Sequence, residues 1–215
     1  MVTYEGIRLK IRRIYIKLTA QKRRDKILDK DFTIISNNCW GGLIYQSYGI
    51  EYKTPTIGLF FMADDYIKFI YNIREYTREK LEFIEPEETK YRDYFKEHSQ
   101  FGLYPIGKLK DIEIHFLHYK SKEEALEKWN RRVEKINWDR LLFKFNDQNL
   151  CTKDHIKKFS DLPEKNKICF TSNWNFEKDF IFRIKSLMKY PFVKASYEPF
   201  GKSRYVDINE IINNL

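Results

Sequence analysis

Of the three cysteines, Cys39 has the neighbours best suited to chemistry. It lies in Ser36-Asn37-Asn38-Cys39-Trp40-Gly41-Gly42, between the apolar run Phe32-Thr33-Ile34-Ile35 and a glycine-containing helix start. Free N–H groups and the helix dipole at such a turn favour a thiolate. Gly41 and Gly42 let a ligand approach the backbone, and adjacent N–H groups can hold an oxyanion. His118 could act as the base and Asp147 as its orienter, since a nucleophile–base–orienter set is free in chain order. The plainer alternative is a packed cysteine beside two turn glycines. The same loop could instead cradle a phosphate, with Ser36, Asn37, Asn38, Gly41, Gly42 and Asn146 as contacts. It matches neither a Walker loop nor a GxGxxG fingerprint, so no particular nucleotide is indicated.

Other residues invite weaker versions of the same question. Asp64-Asp65 follows an apolar run, as the acidic pair of many metal-dependent glycosyltransferases does. A helix cap and a favourable dipole charge explain the same two residues. No metal site is otherwise expected, with Asp64 and Asp65 the candidates if there is one. His115 and His118 stand three apart on an expected strand, so they face opposite sides and are not expected to ligate one metal together. His118 is the functional candidate, and His115 reads as interior. Trp129 reads as core, with Arg131 and Arg132 on a solvated helix face.

These residues need elements to hold them. Strands are expected at 32–35, 56–61, 112–119, 141–145 and 167–171. Helices are expected through Leu43-Ile44-Tyr45, as a long helix from Asp64 or Asp65, after Ser121 with its capping-box partner Glu124, and after Thr152. Residues 180–188 and 206–215 read as further helices. Short apolar strands alternating with helices predict an α/β domain over 31–215, its sheet largely parallel with helices on both faces. In such sheets ligands bind beyond the carboxyl ends of the strands, which is where the candidate residues fall.

Residues 1–30 differ from the rest. They hold ten Lys/Arg against three acidic residues, most of the net charge of +9. Ile7, Ile11, Ile14 and Leu18 recur at helical spacing, although Ile14–Ile16 could be a short strand. The segment reads as a basic amphipathic helix that either lies on anionic lipid or packs its stripe on the domain. A basic charge confined to one element argues against nucleic acid as a partner. With 42% hydrophobic, 33% charged and 17% aromatic residues the chain is a globular mixture. It has no apolar span of about 20 residues and no secretory leader, so the expected location is cytoplasmic, with peripheral contact to the inner face of the membrane as a further expectation. Cys39, Cys151 and Cys169 form no CxxC or zinc pattern and are expected to be reduced thiols.

The run from Phe32 through Cys39-Trp40-Gly41-Gly42 and Tyr52-Lys53-Thr54-Pro55-Thr56-Ile57-Gly58-Leu59-Phe60 resembles a bacterial family labelled exopolysaccharide biosynthesis protein, itself a domain of unknown function. The likeness continues through Tyr104-Pro105-Ile106-Gly107, Ile112 to Tyr119, Glu124-Ala125, Lys128 to Arg132, Phe145-Asn146-Asp147, Cys151-Thr152 and Asn166 to Thr171. It covers residues 32–172. It implies a three-layer α/β/α fold and an association with capsule or exopolysaccharide loci, and it carries over no catalytic assignment. The resulting expectation is a transferase acting on a glycan or lipid-linked glycan, by acyl transfer through Cys39 from a donor such as acetyl-coenzyme A. A glycosyl or sugar-phosphate transferase using a nucleotide sugar, and a non-catalytic assembly module, are the alternatives.

Overall fold

A computed structural model describes residues 4–215. In chain order they form α1 (Tyr4–Arg24), β1 (Thr33–Ser36), α2 (Trp40–Tyr48), α3 (Ala63–Tyr71), α4 (Ile73–Tyr76), β2 (Glu82–Ile84), α5 (Arg92–Glu97), β3 (Ile106–Leu109), β4 (Ile112–His115), α6 (Lys122–Val133), β5 (Leu141–Asn146), α7 (Lys153–Asp161), β6 (Lys167–Thr171), β7 (Ile181–Arg183) and α8 (Ile208–Asn213). Strands β1, β5, β6 and β7 make an all-parallel sheet in the order β1-β5-β6-β7. Strands β2, β3 and β4 make a small antiparallel sheet.

The parallel strands are short apolar runs because both of their faces are covered. On one face Ile35, Phe143, Phe145 and Cys169 pack with Tyr66, Phe69 and Ile70 of α3, Trp129 of α6, Phe159 of α7 and the small sheet. On the other, Ile34, Leu142, Ile168 and Phe170 pack with Trp40, Ile44, Tyr45 and Tyr48 of α2 and with Val193, Ile208 and Ile212. Each fully buried side chain of this kind contributes about 1.5–3 kcal/mol. The result is the expected α/β fold with helices on both sides of the sheet. Among the described residues no helix is long and apolar enough to cross a membrane.

Several expected elements differ. Residues 56–61 are not a strand: only Phe60 bridges to His115, because Gly58 turns the backbone at φ +70°. The run from Ile112 ends as a strand at His115 and belongs to the antiparallel sheet, leaving His118 in the following turn. The helix beginning at Ala63 breaks at Asn72 and is capped by no side chain, so neither Asp64 nor Asp65 opens it. Residues 181–183 are a parallel strand, since Cys169, Phe170 and Thr171 pair with them. Half of the expected capping box forms, with Ser121 accepting from the Glu124 N–H at 3.2 Å while the Glu124 carboxylate accepts from Lys120 N at 2.9 Å instead of from Ser121; Thr152 caps α7.

Helix α1 forms as expected, but its apolar stripe does not pack on the domain. Ile11 is 63% and Leu18 79% exposed, and Ile7 and Ile14 are exposed as well. The helix docks through a different side, which carries Arg8, Arg12, Ile16 and Arg23. Arg23 donates to the carbonyls of Ser47 at 2.8 Å and Ile16 at 2.6 Å.

Candidate functional site

The carboxyl edge of the parallel sheet is polar and closed. Ser36 is in register with Lys144, and the lysine side chain leaves β5 on the face of Leu142 and Asn146. It is fully buried, as is Glu198, with which it forms an ion pair. Its ammonium group also donates to the side-chain carbonyls of Asn38 at 2.9 Å and Asn37 at 3.3 Å. The Asn38 amide nitrogen reaches the Glu198 carboxylate at 3.3 Å and Gln148 at 3.1 Å. Asn37 donates to Asn146 at 2.9 Å, and Asn146 to the Val193 carbonyl at 2.8 Å. Burial drives both partners toward neutrality, lowering the Lys144 pKa and raising that of Glu198, while their mutual attraction opposes both shifts.

The segment from Tyr190 to Phe200 straps across this cluster. Its backbone meets Ser172 through the Tyr190 carbonyl, Asp147 through the Val193 N–H and the Trp40 indole through the Pro199 carbonyl. Glu198 thus enters the cluster from a part of the chain remote from the strand ends it meets.

The residues expected from sequence divide into those this edge gathers and those it does not. Ser36, Asn37, Asn38, Asn146 and Asp147 are all buried here. Asp147 accepts from Ser172 N at 2.6 Å, Ser172 Oγ at 3.1 Å, Thr171 Oγ1 at 3.0 Å and Val193 N at 2.7 Å. Its carboxylate is committed to holding the β6 turn and the strap, and it touches no histidine. His118 is exposed and its backbone N–H donates to the Gly58 carbonyl at 2.9 Å. The Cys39 thiol faces the neighbouring Leu59 carbonyl at 3.8 Å. No hydrogen bond joins the side chains of Cys39, His118 and Asp147, so the three do not form a triad in this structure.

Nor is the thiol activated. Cys39 occupies the cap position of α2, yet burial pushes its pKa up to about 11; Glu198 adds to the rise and Lys144 opposes it. Desolvation outweighs the helix dipole. Gly41 and Gly42 are buried in the packing of α2. A Cβ on Gly41 would come 3.4 Å from Ile34, and one on Gly42 3.4 Å from Ile57, ordinary packing distances of α2 on β1 and the following segment. Asn38 serves the helix start, its side-chain carbonyl accepting from Trp40 N at 3.0 Å.

Asp64 and Asp65 point to different partners. Asp65 is buried, paired with Lys90 and accepting from Glu113 N at 3.2 Å; burial raises its pKa to about 6 against the pull of Lys90. Asp64 is exposed and pairs with Lys68 at 3.3 Å. Among the described residues no cluster of three or more His, Cys, Asp or Glu is arranged for a metal. A cavity of 480 Å³ beside Arg74 and Trp138 and one of 420 Å³ beside Phe182 and Tyr205 both open at the amino-terminal edge of the sheet, away from these residues.

Sequence reasoning passed over Lys144 and Glu198. The signal for Lys144 was present, a lone charge inside Leu141-Leu142-Phe143-Lys144-Phe145, a run otherwise apolar on both faces.

An open parallel α/β sheet with an amide-lined ion pair at its strand ends, closed by a C-terminal strap, defines the class. The chain belongs to the family described as Domain of unknown function (DUF1919), which it matches over residues 10–210. It is also 33% identical over 162 residues to a Haemophilus influenzae protein described as uncharacterized, a match spanning 75% of this chain and 70% of that one.

Proposed function

We propose that this protein is a transferase of bacterial surface-polysaccharide biosynthesis. It transfers a sugar or sugar phosphate from a nucleotide sugar to a glycan or lipid-linked glycan at the carboxyl edge of the sheet. The observation that carries the reading is the buried Lys144–Glu198 pair, set among Asn37, Asn38, Asn146 and Gln148. A wholly desolvated ion pair is expensive unless each charge is further hydrogen-bonded, and such perturbed groups concentrate at functional sites. Amide side chains suit sugar hydroxyls. The motif likeness to exopolysaccharide proteins supports the substrate class.

In this reading the acceptor hydroxyl bonds to the anomeric carbon as the bond from that carbon to the nucleotide's phosphate breaks; when a sugar phosphate is transferred, the hydroxyl instead bonds to the sugar-bearing phosphorus as its bond to the nucleoside monophosphate breaks. Glu198 takes the hydroxyl proton, and Lys144 steadies the charge gathering on the departing nucleotide phosphate. The strap lifts for entry and closes to exclude water. Acyl transfer through Cys39 is disfavoured by the raised thiol pKa and by the commitment of Asp147 to Ser172.

Helix α1 supports a peripheral position on an anionic membrane. Its exposed Ile7, Ile11, Ile14 and Leu18 are interspersed with exposed Lys10, Arg13 and Lys17.

Thermal-shift screening tests the donor. Stabilisation is expected with a UDP- or CMP-sugar, with or without manganese. Glu198→Gln should retain that stabilisation while losing at least about a hundred-fold in transfer, the range of a general base. Stabilisation by acetyl-coenzyme A alone would restore the acyl reading, and binding of neither donor would leave a non-catalytic assembly module.

A further inference from the structure

Arg8 and Arg12 stand one helical turn apart on the docked side of α1, and both guanidinium groups reach the same oxygen. Arg8 Nη1 donates to the Ser196 carbonyl at 3.1 Å, and Arg12 Nη1 donates to it too. Arg12 Nη2 lies 3.3 Å from the Glu198 carbonyl. Each plane rests on an aromatic ring, Arg8 at 4.0 Å from the centre of Tyr197 and Arg12 at 4.4 Å from that of Phe200. Two cations therefore converge on one neutral carbonyl.

Their remaining donors are not satisfied. Among the described residues, Nε and Nη2 of Arg8 and Nε of Arg12 are buried without a hydrogen-bond partner. Neither arginine makes an ion pair with a described carboxylate, and the Glu198 carboxylate is engaged by Lys144 and Asn38. Burial, followed by repulsion from Arg8, lowers the Arg12 pKa to about 10. Buried donors with no acceptor are costly, and like charges this close repel. An oxyanion with several acceptor oxygens removes both penalties at once, because the planar fork of a guanidinium matches phosphate bidentately. The neutral Ser196 carbonyl stands where one oxygen of such an anion would sit.

We infer that Arg8 and Arg12 form a phosphate-binding pair, seated against residues 196–200, in which a ligand phosphate replaces the Ser196 carbonyl. The phosphate has two possible carriers. The neighbouring side of α1 bears the exposed apolar stripe, which places the pair beside a surface suited to a lipid-borne phosphomonoester. The same turn leads through Glu198 into the polar cluster, which suits a soluble sugar phosphate. The site stands apart from the transfer chemistry: it is read by binding alone, so its failure would leave the transferase proposal intact, and the reverse.

The test uses the full chain. Inorganic phosphate and glucose 1-phosphate are compared with chloride at matched ionic strength by thermal shift and calorimetric titration. In parallel, phosphatidylcholine vesicles carrying phosphatidic acid are compared with vesicles carrying oleate at equal surface charge. Binding of the soluble phosphates assigns a soluble carrier; preference for phosphatidic acid without soluble binding assigns a lipid one. In either case Arg12→Gln should weaken binding at least about ten-fold, the value of one charge-assisted pair. Lys10→Gln/Arg13→Gln, on the exposed side, should weaken binding to both kinds of anionic vesicle alike, leaving soluble-phosphate binding and the preference for phosphatidic acid over oleate unchanged. Arg12→Lys keeps the charge but loses the fork, and should behave like Arg12→Gln if that variant does not fold. No preference for phosphate in either arm, or an equal loss of soluble-phosphate binding or of the phosphatidic acid preference in the Lys10/Arg13 variant, overturns the assignment.

Discussion

Lys144 and Glu198 are both fully buried and held to each other and to Asn38, so that the end of β5 is tied to the C-terminal strap by a buried ion pair. Removing one partner leaves the other charged in the interior. Lys144→Met is expected to destabilise the fold by about 3–5 kcal/mol, and Lys144→Met/Glu198→Leu to recover most of that. Urea unfolding measures both. A loss below about 1 kcal/mol in the single variant would mean that water reaches the pair in the resting state.

The Cys39 thiol should be sluggish. With its pKa pushed up to about 11 by burial, it is almost wholly protonated at neutral pH. Alkylation by iodoacetamide, followed by mass spectrometry of the Cys39 peptide, should run about a hundred-fold slower than for an unfolded cysteine, because only the thiolate reacts. Cys39→Ser should leave donor binding unchanged. Fast labelling at Cys39 in the folded protein would reopen the nucleophile reading.

The legible parts of this fold were those set by local pattern. β1 and β5 are unbroken apolar runs, and α6 announces itself through Ser121 and Glu124. The strand-end rule placed Asn37, Asn38 and Asn146 at a common edge, and the structure has them hydrogen-bonded there. What escaped depends on distant partners. β7 has only three residues and is a strand because β6 pairs with it, while Phe180 and Ile184 alone suggest helical spacing. β3 runs through Gly107, paired with both Phe83 and Ile114, and a Cβ there would come 2.7 Å from Leu81 and Phe116, so the glycine marks close packing that no local periodicity records. Glu198 lies in a segment without periodicity, and its role exists only through Lys144. The direction in which α1 docks was equally hidden, since Tyr197 and Phe200 select its arginine side.

His115 offers a pH test in the other core. It stacks on Phe60 at 4.8 Å between ring centres, and neither ring nitrogen has a partner. Burial, helped by the charge of Lys90, lowers its pKa from 6.5 to about 3. The unfolded chain takes up a proton below pH 6.5 that the folded one refuses. Stability should therefore fall with acidification by up to about 1.4 kcal/mol per pH unit between those two values. Above pH 6.5 the group makes no such demand. His115→Phe should flatten that part of the acid limb and change stability little at neutral pH, since no hydrogen bond is lost. An unchanged acid limb in chemical denaturation would show that His115 is hydrated in the folded protein.

The membrane proposal rests on which side of α1 faces outward. Had Ile7, Ile11, Ile14 and Leu18 packed inward, the basic residues would be a solvated surface and nothing more. They are instead exposed, while Arg8, Arg12 and Arg23 turn toward the protein. The outward side thus combines apolar side chains with Lys10, Arg13 and Lys17, the arrangement by which a helix lies in a headgroup layer. Each basic residue near an anionic surface contributes about 1 kcal/mol, an attraction that salt screens. Co-sedimentation should show binding to vesicles containing phosphatidylglycerol, little binding to pure phosphatidylcholine, and release at high salt. Ile11→Ser/Leu18→Ser removes the two most exposed isoleucine and leucine anchors without touching the docked side, so it should weaken binding about ten-fold or more and leave the melting temperature unchanged. Retention of full binding by this variant would reduce the interaction to charge alone, and equal binding to neutral vesicles would remove the electrostatic part of the argument.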